Sequence, residues 1–157
     1  MTERSVNHST IVIERIYDAS PSRVFAAWSS PQALLRWASP GGGWVSAIDC
    51  FEFRVGGREV SSFGPKGGET YLNEARYLDI VPSERIVSAG LMTSGDKRIF
   101  AGLLTVEFRA AGKGCRMVMT EQGAFLDGHD IPANHEAGWN QMLDNLAGEL
   151  RRDAAAA

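Results

Sequence analysis

The sequence predicts an α+β fold in which a strongly curved antiparallel sheet of about seven strands wraps around a long C-terminal helix. Three observations predict it. Two Ser-Pro pairs, at 20–21 and 30–31, follow a first strand-like run. From residue 44 to residue 125, apolar and polar residues alternate with the period of two that is typical of strands. After Asp130 the period becomes helical.

The composition is that of one ordinary globular domain. The chain has 157 residues, 44% of them hydrophobic, and we expect a single domain over 1–157 with an ordered core over about 10–152. The net charge is −3 and no run of Lys or Arg exceeds two residues, which argues against a nucleic-acid partner. No stretch is apolar and long enough to span a membrane, and the polar start is unlike a signal peptide. These features predict a cytoplasmic protein.

The two cysteines give no sign of a disulfide or a metal site. Cys50 and Cys115 lie far apart in strand-like surroundings and form no CxxC pair. We expect both to be buried, reduced thiols.

The first strand and two short helices follow from local signals. The β-branched run over about 10–18 predicts a strand. At 20–21 and at 30–31, a serine that caps a helix precedes a proline that suits the first helical position, so two short helices are expected. Each helix carries a tryptophan, and the glycine-rich loop 38–43 ends the second.

Six further strands joined by tight turns are predicted to form an antiparallel meander that curls strongly. In the second strand we expect Ile48 and Cys50 to share a face opposite Phe51. In the last strand Cys115, Met117, Met119 and Glu121 share one face. Turn signals lie at 56–57, 64–68, 82–83, 94–97 and 111–114.

The C-terminal helix is predicted to open at Asp130 or Pro132 and to run about twenty residues, which corresponds to about 30 Å. That length is enough to cross a curved sheet. The tail 154–157 is expected to fray. One helical face carries His135, Trp139, Met142, Leu146 and Leu150.

These elements resemble the START-like, helix-grip superfamily (SRPBCC), whose members include the birch-pollen allergens, and within it the branch related to the activator of heat-shock protein 90 ATPase. The resemblance covers nearly everything from Ile11 to Leu150. It departs at Ala38, where the branch usually has an aromatic, and this implies a reshaped pocket mouth. The resemblance implies a helix-grip fold with an internal cavity for an apolar ligand. The matching segments are IVIERIYDASPSRVFAAW, LLRWASP, FRVGGRE, LDIVPSERIV, LTVEF, GKGCRMVMTEQGAF and GWNQMLDNLAGEL.

A cavity is also expected on physical grounds. A strongly curved sheet and a straight helix touch along only part of their length, and Gly138 leaves space on the helix surface. The alternative for each candidate lining residue is ordinary core packing. The candidate ligand-binding residues are Trp28, Trp37, Phe53, Phe63, Phe100, Leu104, Phe108, Met117, Met119, Phe125, His135, Trp139, Met142 and Leu143.

Two polar residues are candidates for acid–base chemistry. Glu121 shares a strand face with two methionines, so an inward carboxylate is expected unless it lies hydrated at the strand end. His135 lies one turn before Trp139 and either reaches the pocket or lies on the surface at the helix start. Arg54 and Glu74 are expected to be exposed strand charges unless the assumed strand alternation is wrong.

Other functional motifs fail on inspection. Residues 90–97 space their glycines like a phosphate loop, but Asp96 stands where the lysine belongs, so a hairpin turn is expected. Asp127, His129 and Asp130 are a weak ligand set, and neither a metal nor a cofactor is predicted.

Three functions follow, in order of preference. The first is binding of a small hydrophobic or aromatic molecule, such as a lipid, in a cavity between sheet and helix, without catalysis. The second is a cyclase-like enzyme that uses Glu121 or His135 as acid or base in the same cavity. The third is a chaperone-regulating interaction domain, ranked last because the eukaryotic co-chaperones carry an additional N-terminal domain. The sequence leaves open whether two copies pair as a homodimer.

Overall fold

The computed structural model describes residues 3–156 of the chain, with side chains described up to residue 152. Seven strands and three helices follow one another in the predicted order. They are β1 (Val6–Tyr17), α1 (Pro21–Trp28), α2 (Pro31–Trp37), β2 (Trp44–Phe51), β3 (Arg58–Pro65), β4 (Tyr71–Val81), β5 (Arg85–Ser94), β6 (Lys97–Ala111), β7 (Gly114–Leu126) and α3 (Pro132–Ala156).

The strands form one antiparallel sheet in the order β1-β7-β6-β5-β4-β3-β2. This confirms the predicted helix-grip fold with its meander and its long C-terminal helix. β1 begins earlier than the predicted residue 10, because its pairing with β7 extends to Val6 opposite Leu126. Residues 94–97 form the tight turn between β5 and β6, as predicted.

Side-chain caps start the two short helices. The Ser20 hydroxyl accepts a hydrogen bond from the Arg23 amide at 3.3 Å, and the Ser30 hydroxyl accepts one from the Ala33 amide at 3.2 Å. A proline occupies the first helical position in both. The Trp37 indole nitrogen donates to the Ala27 carbonyl at 2.9 Å, which fixes α2 against α1.

The predicted alternation in β2 is wrong at its C-terminal end. The register shifts between Ile48 and Cys50, so that Ile48 lies opposite Ser61 and Phe51 lies opposite Glu59. A bulge of this kind places an extra residue in one strand and reverses the faces that follow. Ile48 and Phe51 therefore both pack against the core, and Cys50 is only half-buried.

The sheet and α3 are sealed together along β6, β7 and the C-terminal half of the helix. The core residues Val106, Met117, Leu143 and Leu146 have no solvent-accessible surface. The Tyr17 hydroxyl donates to the Leu143 carbonyl at 2.9 Å and joins α3 to the edge strand. Burial raises the pKa of this phenol.

α3 is longer than predicted. It continues to Ala156, so positions 154–156 of the expected frayed tail are helical, and residue 157 lies outside the described residues. A salt bridge joins α2 to α3: the Arg36 Nε atom lies 2.9 and 3.0 Å from the two carboxylate oxygens of Glu149. Among the described residues, no helix is long and apolar enough to cross a membrane.

Candidate functional site

A row of small residues crosses the concave face of the sheet at right angles to the strands. Ala75 of β4 pairs with Gly90 of β5, Gly90 pairs with Gly102 of β6, and Gly102 pairs with Gly123 of β7. Glu59 of β3 pairs with Ala75 and ends the row. Paired residues point to the same face of a sheet, so the row is a shallow trench in the concave face.

One half of the trench is filled and the other half is open. A Cβ atom at Gly102 or Gly123 would collide with the ring of Phe100, so that ring lies across these two glycines. The three atoms nearest to a Cβ at Gly90 would be the Glu74 carbonyl oxygen at 3.3 Å and the Cβ and Cα atoms of Ala75 at 3.5 and 3.8 Å, so no ring lies as close to Gly90 as Phe100 lies to the other two glycines. Glu59, Ala75 and Gly90 are all half-buried, so this half of the floor keeps accessible surface.

Larger side chains border the trench. On one side lie Tyr77, Ser88 and Leu104, which pair across β4, β5 and β6. On the other side lie Ser61, Asn73 and Met92, all half-buried. We call the trench with these two borders the concave groove. Beyond the second border lies a stack of three aromatic rings, with centroid separations of 5.3–6.5 Å, from Trp44, Phe63 and Tyr71.

Glu59 places a carboxylate in the concave groove. The Tyr77 hydroxyl donates to Glu59 Oε2 at 3.2 Å, and within the described residues no cation lies at ion-pair distance. Burial raises the pKa of the Glu59 carboxyl, although the Tyr77 hydrogen bond lowers it. Burial, with the nearby Glu59 charge, also raises the pKa of the Tyr77 phenol.

The two candidate acid–base residues lie together at the filled end. The His135 Nδ1 atom lies 3.0 Å from Glu121 Oε1, and the Trp139 indole nitrogen donates to Glu121 Oε2 at 3.1 Å. The His135 Nε2 atom lies 2.9 Å from Asp130 Oδ2, although its direction does not suit a hydrogen bond. The side chains of His135 and Glu121 are 8% and 10% exposed. The alternatives of a hydrated Glu121 and a surface His135 are therefore wrong.

This polar cluster is closed. Both carboxylate oxygens of Glu121 have partners on α3, and the His135 ring lies between Phe100 and Phe125 at centroid separations of 4.4 and 4.8 Å. Its contacts join β7 to the first turns of α3. The geometry fits a structural role, because both oxygens of Glu121 have partners and the unpaired Nε2 atom of His135 is buried beside Asp130.

The predicted ligand-binding residues fall into groups that differ in accessibility, and their role in binding stays a prediction. Those with at most 3% exposure are Trp37, Phe108, Met117, Met119, Phe125 and Leu143. Trp28 and Phe100 keep 7% and 6%. The half-buried members are Phe53, Phe63, Leu104, Trp139 and Met142.

Two depressions lie outside the concave groove. One, of about 500 Å³, lies on the convex face around Ala101 and Ala124. The other, of about 710 Å³, lies between the start of β1 and the turn before β6. Here Asp127 contacts Arg4 at 2.8 Å, and a hydrogen bond from the Ser5 amide, with the Arg4 contact, lowers the pKa of its carboxyl.

No group of three His, Cys, Asp or Glu side chains within the described part of the chain is arranged to hold a metal ion. The Asp127 carboxylate instead accepts hydrogen bonds from the Arg4 guanidinium and the Ser5 amide. Arg54 and Glu74 are exposed, as expected.

Sequence reasoning missed Glu59 and the small-residue row. The alternation of Glu59, Ser61 and Phe63 along β3 carries the signal for an inward carboxylate. The sequence of a single strand cannot reveal the row, because Ala75 and Gly90 become neighbours only through the cross-strand register.

Residues 18–151 match the family model described as activator of Hsp90 ATPase homolog 1-like protein. The chain belongs to this family. The match includes α1 to β7, the Glu59–Gly123 row and α3 as far as residue 151. A search of curated proteins gave no significant match.

Solved structures agree with the family assignment. A protein from Rhizobium leguminosarum is 41% identical over 96% of this chain and 99% of its own, with a TM-score of 0.87. The Mll3558 protein from Rhizobium loti is 44% identical over 92% of this chain and 99% of its own, with a TM-score of 0.83. An AHSA1-like protein from Aeromonas hydrophila, 20% identical over 93% of this chain and 94% of its own, shares the fold with a TM-score of 0.71.

Proposed function

We propose that this protein binds a small hydrophobic or aromatic molecule in the concave groove, between the curved sheet and α3, without catalysing a reaction. The observation that carries the proposal is the half-buried floor at Ala75 and Gly90, over which no ring lies as close as Phe100 lies to Gly102 and Gly123. Apolar side chains next to it, such as Leu104 and Met92, stay half-buried. An apolar guest on this floor would remove their exposed surface from water, at about 25 cal/mol for each Å² buried.

The family supports the same proposal. Proteins with this fold commonly bind hydrophobic ligands, and fold alone does not name the ligand. The groove that we propose is smaller than the cavity expected from the sequence, because Met117, Met119 and Leu143 have no accessible surface. The ligand would therefore lie nearer to β3, β4 and β5 than to β7. The cytoplasmic setting and the absence of a cofactor remain parts of this proposal, and pairing into a homodimer remains an open alternative.

Catalysis by Glu121 or His135 ranks second. The two side chains bind each other and Trp139, which occupies both oxygens of Glu121 and the Nδ1 atom of His135, and the Nε2 atom of His135 is buried beside Asp130. Regulation of a chaperone ranks third, since it rests on the family description alone.

The proposal is tested by filling the groove floor. N-phenyl-1-naphthylamine, a neutral dye that fluoresces in apolar sites, should bind the native protein. The substitution Ala75→Leu adds three carbons to the open floor and should weaken binding by about tenfold or more. Fluorescence titration gives both dissociation constants.

Ala101→Leu is the matched control. It makes the same change on the convex face, in the depression around Ala101 and Ala124, and should leave dye binding unchanged. Loss of binding in the Ala101 variant but not in the Ala75 variant would place the ligand on the wrong face and refute the proposal. Absence of dye binding to the native protein would refute it as well.

A further inference from the structure

We infer that Glu59 is the polar anchor of the concave groove, and that the ligand carries a hydrogen-bond donor, preferably a cationic amine, at one end of a flat apolar body. This inference rests on the proposed function. It adds a chemical class for the ligand and assigns its orientation.

The free oxygen of Glu59 supports the inference. Oε2 accepts the hydrogen bond from the Tyr77 hydroxyl, whereas Oε1 has no partner among the described residues. Oε1 is not buried, because the buried polar atoms without a partner do not include it. Solvent or a ligand can therefore reach it. An accessible carboxylate oxygen accepts hydrogen bonds, so the matching ligand group is a donor.

The charge around Glu59 favours a cation. Burial raises the pKa of the carboxyl, which means that its negative charge is poorly compensated in the free protein. Other carboxylates on the sheet lie next to arginines: Glu14 contacts Arg116 at 2.6 Å. No arginine or lysine within the described residues takes that place at Glu59. A ligand ammonium group would supply the missing charge.

The shape of the trench orients the ligand. Glu59 lies at one end, Ala75 and Gly90 form the open floor, and the Phe100 ring over Gly102 closes the other end. Three strand spacings of about 4.8 Å give a length of about 14 Å. A fused aromatic body fits over the two small residues, with its donor at Glu59 and its apolar end against Phe100.

The test uses four naphthalenes of nearly equal size that differ in one group. They are the amine 1-naphthylmethylamine, the alcohol 1-naphthalenemethanol, the hydrocarbon 1-methylnaphthalene and the carboxylate 1-naphthaleneacetate. The native protein should bind the amine most tightly, the alcohol next, then the hydrocarbon, and the carboxylate least. Glu59→Gln should reduce the preference for the amine over the hydrocarbon by about tenfold or more. Titration of tryptophan fluorescence gives the four constants.

Glu74→Gln is the matched control. Glu74 is exposed on the other face of β4, so this variant loses the same charge but should keep the full preference for the amine. Thermal melts of both variants establish that they are folded. An unchanged preference in Glu59→Gln, or an equal preference for amine and hydrocarbon in the native protein, would overturn the inference.

The outcomes also separate the inference from the proposed function. If the hydrocarbon binds and Ala75→Leu blocks it, while the head group has no effect, the groove binds ligands and the anchor is wrong. If none of the four compounds binds, both fail.

Discussion

Glu59 is a carboxylate on the concave face whose partner is a phenol, whereas Glu14 and Asp79 of the same sheet contact arginines. Its pKa is raised above 4.5 because burial disfavours the charge. Ionisation of Glu59 therefore costs more in the folded protein than in the unfolded chain. This cost to the free energy of unfolding is absent at pH values below the pKa of the unfolded chain. It develops as the pH rises from there through the pKa of the folded protein.

The substitution Glu59→Gln should therefore stabilise the protein at pH 7. The amide keeps an acceptor for Tyr77 and removes the charge. At pH 3.5 both proteins carry a neutral side chain, so their stabilities should agree. Melting temperatures at the two pH values measure the effect. A variant that is less stable than the native protein at both would contradict this account of Glu59.

Single residues also show where sequence reasoning stops. The alternation with Met117 and Met119 left an inward and a hydrated Glu121 as alternatives, and the structure buries it. Its partners were not predicted, because His135 and Trp139 reach it from a separate helix. Contacts of this kind depend on how α3 crosses the sheet, and no local pattern encodes that position.

At the scale of elements, local signals were sufficient. Each Ser-Pro pair gave a capped helix in the expected place, and the period of two gave six consecutive strands. The exception was the bulge in β2 after Ile48, because an extra residue in a strand leaves the apolar composition unchanged. That bulge brings Phe51 to the inner face opposite Glu59.

The caps of α1 and α2 should be worth about 1 kcal/mol each. Ser30→Ala removes the acceptor for the Ala33 amide at the start of α2 and should lower the free energy of unfolding by that amount. Ser30→Asp keeps an acceptor at the same place and should retain nearly all of the stability. Urea denaturation compares the three proteins, and equal losses in both variants would count against a capping role.

At the scale of the whole molecule, the salt bridge of Arg36 and Glu149 connects the helix pair to the C-terminal helix. The Glu149 side chain is 4% exposed, and its hydrogen bonds with Arg36 lower the pKa of the carboxyl. A lowered folded pKa means that the contact stabilises the protein above pH 4.5. This stability is lost as the pH falls through the folded pKa.

Replacing Glu149 by Gln should therefore destabilise the protein by about 1–3 kcal/mol at pH 7, because Arg36 loses a charged partner. The difference should shrink steadily under acid conditions, as the native carboxyl becomes neutral too. Chemical denaturation at several pH values measures it. A difference that is the same at pH 3 and pH 7 would exclude the proposed origin.

The whole fold could be predicted and the groove could not, for a physical reason. The number and order of elements follow from local periodicity, whereas the half-buried floor depends on which residues of different strands become neighbours. Ala75 and Gly90 look unremarkable in their own strands. They form a trench only because the register of β4 and β5 aligns them with Gly102 and Glu59.

Because β1 pairs with β7, the time at which the sheet can close depends on the order of synthesis. Val6 leaves the ribosome long before Leu126, its partner, has been translated. Until then β1 has no neighbour in the sheet, and its residues Ile11 and Ile13, which are buried in the folded protein, would be open to other nascent chains. The sheet can therefore close only after β7, the last of its strands along the chain, has emerged.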